Sequence, residues 1–245
     1  GTFRPFTLAA DPYAEALCAT DLDLDGIPDL AITNSNDSAV AAWRGNGKGV
    51  FLASQRVSPF LFAPDSLVAA DFNRDGKLDL AVANHLDNDA SVLFGNGDGT
   101  FQPQARYPAN LGPQSIAAGD LDGDKWLDLV VANGHGASVS VLLNKRDGTF
   151  KPAVDYMVGS TPWVVNLTDL DGNGTLDATV CVAADHTIEV LPGNGNGTLG
   201  MNRVRKAPIS PMGMDVCDLD GDGHPDIAWA DGASDQLDLV FGDGK

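Results

Sequence analysis

The chain has 245 residues, 43% hydrophobic and 7% aromatic, with 28 Gly, 14 Pro and a formal net charge of −19. That length can bury a sizeable core, the Gly and Pro content favours short strands and turns over long helices, and no run reaches the ~18 apolar residues of a membrane span. Lys and Arg total only 15 and form no stripe, which argues against a nucleic-acid partner.

From the N-terminus, the chain opens at Gly1-Thr2-Phe3 with no cationic-then-apolar leader, in the middle of a motif that recurs later. It therefore reads as a processed or excised chain. A nine-residue acidic loop follows at Asp21–Asp29 and a turn, Gly45-Asn-Gly-Lys-Gly-Val-Phe51, after it. The acidic loop returns at Asp71–Asp79, Asp120–Asp128, Asp169–Asp177 and Asp218–Asp226, a period of 49 or 50 residues. The turn returns at Gly95–Phe101, Lys145–Phe150 and Gly193–Leu199.

Between these marks each repeat holds four runs of strand length. In the third they are Ser115–Gly119, Leu127–Ala132, Ser138–Leu143 and Phe150–Tyr156, and Pro152 marks the last as an edge strand. Four strands per repeat with Gly-rich turns make the blade of a β-propeller. The expectation is an all-β chain, one domain over residues 1–245, with five four-stranded blades. The C-terminal Phe241-Gly-Asp-Gly-Lys245 joined to Gly1-Thr2-Phe3 restores one more turn, so Phe3–Leu8 is expected to pair with the last strand and close the ring. Five blades cut from a longer propeller would leave the same seam. Cys18, Cys181 and Cys217 are odd in number without metal-like spacing, and read as small buried residues.

Of the 34 acidic residues, 32 are Asp, and 18 of the 34 fall in the five loops. Oxygen-bearing side chains stand at loop positions one, three, five and nine, and the position-seven carbonyl is available as a further ligand. The expected metal ligands are Asp21, Asp23, Asp25, Ile27 and Asp29; Asp71, Asn73, Asp75, Lys77 and Asp79; Asp120, Asp122, Asp124, Trp126 and Asp128; Asp169, Asp171, Asn173, Thr175 and Asp177; and Asp218, Asp220, Asp222, His224 and Asp226. Calcium takes ~6–8 oxygens at flexible angles, whereas magnesium demands stricter geometry. An EF-hand fails, because Ile32, Val82, Val131, Val180 and Trp229 stand where its twelfth-position Glu belongs. Without metal, three or four carboxylates per loop would repel one another.

Gly95-Asn-Gly-Asp-Gly-Thr-Phe101, with the Asp71 and Asp120 loops, resembles the FG-GAP or VCBS repeats of integrin α-chain propellers, fungal lectins and bacterial secreted proteins. The resemblance covers all five repeats and implies that the loop between a blade's first two strands binds calcium, about five structural ions in all. Asn73 and Asn173 depart from the pattern by replacing carboxylates. Lys125 departs by replacing the turn glycine, and this makes the third site the expected weak one.

The face opposite the acidic loops is the expected ligand face. One position, directly after a recurring proline in four of the five repeats, changes in charge and size in every repeat: Glu15, Asp65, Gln114, Trp163 and Met212, with Tyr13 beside it. His85, His135 and His186 fall in loops on the same face. No nucleophile triad, phosphate loop or nucleotide fingerprint occurs. The expected function is a non-enzymatic, secreted, calcium-binding recognition module, lectin-like or adhesion-type, whose ligand is carbohydrate or protein. A closed ring would make it a monomer. The alternatives are a structural accessory propeller of a larger secreted protein, or a carbohydrate-active enzyme resembling the polysaccharide lyases.

Overall fold

A computed structural model describes residues 13–52, 55–58, 61–206, 211–232 and 237–243. They form antiparallel sheets and, among the described residues, no helix. The first sheet contains β1 (Ala14–Thr20), β2 (Asp29–Asn34), β3 (Ala39–Trp43) and β4 (Gln55–Ser58). The second contains β5 (Pro64–Ala70), β6 (Asp79–Asn84), β7 (Asp89–Leu93) and β8 (Ala105–Pro108). The third contains β9 (Pro113–Gly119), β10 (Asp128–Asn133), β11 (Ser138–Leu142) and β12 (Val154–Met157). The fourth contains β13 (Pro162–Thr168), β14 (Asp177–Val182), β15 (Thr187–Leu191) and β16 (Arg203–Lys206). The fifth contains β17 (Pro211–Cys217), β18 (Asp226–Asp231) and β19 (Leu237–Val240). Within each sheet the strands follow chain order.

The repeat boundaries agree with the expected ones, with one difference inside the outer strand. The expected run Phe150–Tyr156 is split into a single bridge, Asn144↔Phe150, and then β12. Pro152 lies in the gap, where its missing N–H interrupts the ladder. The fifth sheet shows three strands, and the expected fourth, Phe3–Leu8, lies outside the described residues.

The sheets stand side by side in chain order, the first strand of each against the first strand of the next, β1 by β5, β5 by β9, β9 by β13 and β13 by β17. A hydrophobic cluster fills each of the four junctions. This explains why the second strands, after their leading Asp, are mostly apolar rather than alternating. In β6, Leu80 and Val82 enter the cluster shared with the first sheet, while Ala81 and Ala83 enter the one shared with the third. A strand covered on both faces has no polar side to show. Among the described residues no such cluster joins the fifth sheet to the first.

The topology puts the acidic loops, which link first to second strands, and the Gly-rich turns, which link third to fourth, at one end of the sheets. The loops linking second to third strands lie at the other end. In four of the five turns the first residue is a glycine required by close approach, as a Cβ on Gly95 would overlap the carbonyl oxygen of Leu78; the third turn has Asn144 there.

Candidate functional site

Each acidic loop is held by the same backbone bonds, and they divide its carboxylates into two jobs. The position-one carboxylate accepts from the N–H groups inside the turn: Asp21 Oδ2 from Gly26 at 2.9 Å, Asp120 Oδ2 from Lys125 at 2.8 Å, Asp218 Oδ2 from Gly223 at 3.0 Å. The position-five side chain accepts from the position-seven N–H, as Asp25 does from Ile27 and Asp222 from His224, both at 2.8 Å.

Position nine is a clip that sequence reading missed. Asp128 Oδ2 accepts from Leu121 N at 2.9 Å and its Oδ1 from Asn144 N at 2.8 Å. Asp29, Asp79, Asp177 and Asp226 repeat both bonds, one to the start of their own loop and one to the start of the Gly-rich turn. Each of these five Asp residues is buried. Their fixed spacing from the first residue of the turn, sixteen in every repeat and a glycine in all but the third, where it is Asn144, was the available signal.

Around this clip, carboxylates one, three and nine converge in four loops, with ligand atoms all within 4.8 Å of one another. The groups are Asp21, Asp23, Asp29; Asp120, Asp122, Asp128; Asp169, Asp171, Asp177; and Asp218, Asp220, Asp226. Position five does not join them: Asp25, Asp124 and Asp222 stand outside the groups, each with its Oδ1 on the position-seven N–H. The second loop has no such trio, since Asn73 stands at position three and its Oδ1 accepts from Asp75 N at 2.9 Å. The loop expected to depart most was the third, yet Lys125 adopts the left-handed turn conformation of the glycines it replaces, with φ 72°, and its trio is intact. Its carbonyl accepts from Arg74, whose guanidinium lies 4.7 Å from the Trp126 ring centre.

The donor set fits a hard divalent cation. All members are carboxylates, none is His or Cys, and Asp23 Oδ1 is buried without a hydrogen-bond partner. Burial, then the neighbouring Asp29 and Asp25 charges, pushes the Asp23 carboxyl upward. Burial pushes Asp79 and Asp128 up to about 6 against the pull of their N–H donors, and raises Asp177 too. In the fifth loop the Gly242 and Leu219 N–H groups instead hold Asp226 below its ordinary range.

At the opposite end the variable residues prove to be β-bulges. Pro64 pairs with Asn84 and Ser66 with Ala83, so Asp65 is the extra residue. Gln114, Trp163 and Met212 occupy the same register break, and in the first sheet the break spans Glu15. A bulge residue is released from the ladder and its side chain re-aimed, which is why this position is free to vary. The residue before the proline is left-handed at Ala63, Gly112 and Thr161, as is Tyr13 before Ala14.

The structure brings some of these residues together. Asp65 Oδ2 lies 3.2 Å from His85 Nδ1, and the His85 and His135 rings meet edge-on at 4.9 Å between centres. Burial, then the Glu15 charge, raises Asp65 to about 6, while burial, then His135, lowers His85. Both shifts favour the neutral forms, and since Asp65 at about 6 still ionises below neutral pH, the contact at pH 7 sets a carboxylate beside an imidazole whose protonation burial opposes. Glu15 accepts from Ser35 Oγ at 3.2 Å. Gln114 lies over Gly134, and Trp163 is partly exposed. His186 is on the corresponding loop of the fourth sheet, outside the His85–His135 contact. The Met212 side chain lies outside the described residues. Of the cysteines, Cys181 is buried, Cys18 half-buried and Cys217 exposed, and all three are free.

A family model of the FG-GAP-like repeat matches residues 21–82, 71–131, 120–180 and 169–229, most of the chain. No curated protein matches it by sequence. Among solved structures it is similar to an Agrocybe aegerita lectin described for specific recognition of non-reducing terminal N-acetylglucosamine. The TM-score is 0.66 at 23% identity, over 96% of this chain and 64% of the lectin, so the chain spans less than two thirds of that relative. It is also similar to a Lactobacillus plantarum protein, TM-score 0.64 at 16% identity, over 96% of this chain and 72% of the other. An auxiliary nutrient binding protein from Bacteroides ovatus gives 0.62 at 12%, over 95% and 56%. At these identities the likeness establishes fold alone.

Proposed function

Because the chain belongs to the FG-GAP-like repeat family, we propose that it is a non-enzymatic, calcium-loaded recognition module of the extracellular space. The observation that carries this reading is the convergence of three carboxylates in four of the five loops, each built on the same buried Asp clip. Five such loops carry about five calcium ions, the second with Asn73 in place of a carboxylate. Extracellular calcium is high enough to fill sites of ~10⁻⁴–10⁻³ M, whereas cytosolic calcium is not. The five sheets are read as blades that Phe3–Leu8 closes into a ring along the free edge of β19. The ligand, a carbohydrate or a protein, binds the opposite end, where the bulge residues Glu15, Asp65, Gln114 and Trp163 present different chemistry on one repeated backbone. The fungal lectin supports the carbohydrate alternative by fold.

Metal content after dialysis, with anomalous scattering to locate the ions, tests the first half. About five calcium ions per chain are expected, and two or fewer would overturn it. A glycan array tests the second, with binding expected to weaken in Asp65→Ala and Trp163→Ala. The Asp65–His85–His135 contact favours one second reading, an enzyme acting on an anionic polysaccharide. Turnover of such a polymer, lost in His135→Ala, would replace the first reading with this one.

A further inference from the structure

The end of the sheets opposite the acidic trios carries large apolar side chains that the fold leaves uncovered. Phe62 is 50% exposed, Leu86 67% and Leu111 55%. Backbone bonds make them neighbours. The Leu86 N–H donates to the Phe62 carbonyl at 3.3 Å, and the His135 N–H to the Leu111 carbonyl at 3.1 Å. Asn88 straps the two loops together, its carbonyl accepting from Ala109 N at 3.0 Å and its Oδ1 from Gly112 N at 2.8 Å. The repeat itself does not ask for apolar groups here. Where Leu86 stands, the first and fourth sheets have Asn36 and Ala184, and where Phe62 and Leu111 stand, the fourth has Ser160. Apolar residues that are exposed together and dispensable to the repeat mark a contact surface for another molecule.

The charge beside this patch says what kind of molecule fits it. Glu15 and Asp65 belong to the bulges of the first two sheets, near enough for the Glu15 charge to add to burial in raising the Asp65 carboxyl. Asp65 faces His85, which precedes Leu86 in the chain and meets His135 edge-on. At the same end Asp37 and Asp87 have Arg56 and Arg106 as ion-pair partners. Glu15 and Asp65 have no Lys or Arg within reach among the described residues. The first three sheets therefore present an apolar patch beside two carboxylates that lack a cation. A neutral sugar would leave that charge uncompensated, and an anionic one would be repelled. A segment with both apolar and basic side chains satisfies the patch and the charge together.

We propose that Phe62, Leu86 and Leu111 dock the apolar side chains of a basic peptide segment of a partner protein, with a Lys or Arg of that segment seated at Glu15 and Asp65. The inference rests on the reading of this end as the ligand face and narrows the ligand to protein. It does not depend on which metal fills the acidic loops.

The test selects a phage-displayed random dodecapeptide library on the calcium-loaded full chain, then synthesises the most enriched sequence and titrates it by fluorescence anisotropy. Enriched sequences carry Lys or Arg beside Leu, Ile, Phe or Trp, and the synthetic peptide binds with a Kd of ~10 μM. Phe62→Ser and Leu86→Ser each weaken it ~10-fold. Both residues are exposed, so both variants keep the wild-type unfolding midpoint and the loss is one of contact. Glu15→Gln and Asp65→Asn each weaken binding ~3-fold or more at low salt and less at high salt. The same peptide with Glu in place of its Lys and Arg does not bind. No enrichment, enriched sequences without basic residues, or binding that survives Phe62→Ser and Leu86→Ser together overturns the proposal. A glycan-array hit lost in Phe62→Ser overturns it too, yet leaves the ligand-face reading standing. A basic peptide whose binding none of the four variants weakens counts against both, since it is held elsewhere on this acidic chain.

Discussion

The third and fifth sheets carry almost the same acidic loop, yet they sit in the protein differently. Every residue of β10 and β11 is buried, whereas β19 is alternately exposed and half-buried, and β18 is broken by the exposed Ala230. The third sheet has a packed cluster on both faces, and the fifth has one on a single face among the described residues. The carboxyl clip records the contrast: Asp128 is pushed up to about 6 by burial, and Asp226 is drawn down by its N–H donors. A repeated sequence therefore specifies a repeated backbone, while neighbours decide how much each copy contributes to stability.

The largest test of this contrast is a core truncation. Phe150 is 2% exposed and meets both Phe72 and Tyr107 edge-on, so Phe150→Ala should cost ~3–5 kcal/mol in urea unfolding. Val240→Ala, on the half-covered fifth sheet, should cost ~1 kcal/mol or less. Equal losses would mean that the fifth sheet is as enclosed as the third.

Calcium removal comes next. Binding confined to the folded state adds ~2.7 kcal/mol per site at a hundredfold excess over the dissociation constant. A chelator should lower the unfolding midpoint, and Asp122→Ala should lower it further than Asp220→Ala, because the third loop anchors two junctions. No fall on chelation would reduce these loops to ordinary turns.

Much of this was legible in the sequence because the signals were local and periodic. The spacing of the acidic loops gave the sheet count, and odd spacing within a loop gave the converging carboxylates. What escaped was set by register and by neighbours. The variable position after the proline reads as surface diversity until Asp65 and Gln114 are seen as bulges. The position-nine Asp reads as a ligand and does join the converging trios, but its second job, clipping the loop to the Gly-rich turn through two backbone N–H groups, shows only in the structure. Pattern alone registers Asn73 but ranks Lys125 as the weaker point, since a left-handed lysine shows its support only when Arg74 is seen on its carbonyl. Closure through Phe3–Leu8 lies outside the described residues.

A third test concerns the opposite end. Asp65 at about 6 lies above the ordinary ~3.9 of an aspartate, so the fold favours its proton. The stability this contributes is full below pH ~4 and is lost as pH rises to ~6. His85 is lowered, so its contribution runs the other way, full above ~6.5 and lost as pH falls. Asp65→Asn removes the first dependence and leaves the second. It should flatten the stability profile between pH ~4 and ~6 and stabilise the protein at pH 7 by on the order of 2 kcal/mol. An unchanged profile would mean that Asp65 titrates alike in the folded and unfolded chain.

The smallest effect returns to the third loop. Lys125 sits at φ 72° where Gly26, Gly76, Gly174 and Gly223 sit at 84°, 84°, 85° and 90°. A side chain in that conformation costs ~1–2 kcal/mol, and glycine in its place would gain this back less ~0.5–1 kcal/mol of added unfolded-state freedom. Lys125→Gly should therefore stabilise the protein by only ~0.5 kcal/mol, measured by urea unfolding at fixed calcium. It keeps the N–H bond to Asp120 and the carbonyl bond from Arg74, since both are backbone groups. It also removes a positive charge beside the Asp120, Asp122, Asp128 trio, so calcium should bind the third loop more tightly. If stability falls instead, the lysine stem packs usefully in the loop. A double-mutant cycle with Arg74→Ala would then decide whether the Arg74 clamp over Trp126 is what makes the left-handed lysine tolerable, because only a clamp-dependent lysine would show coupling between the two positions.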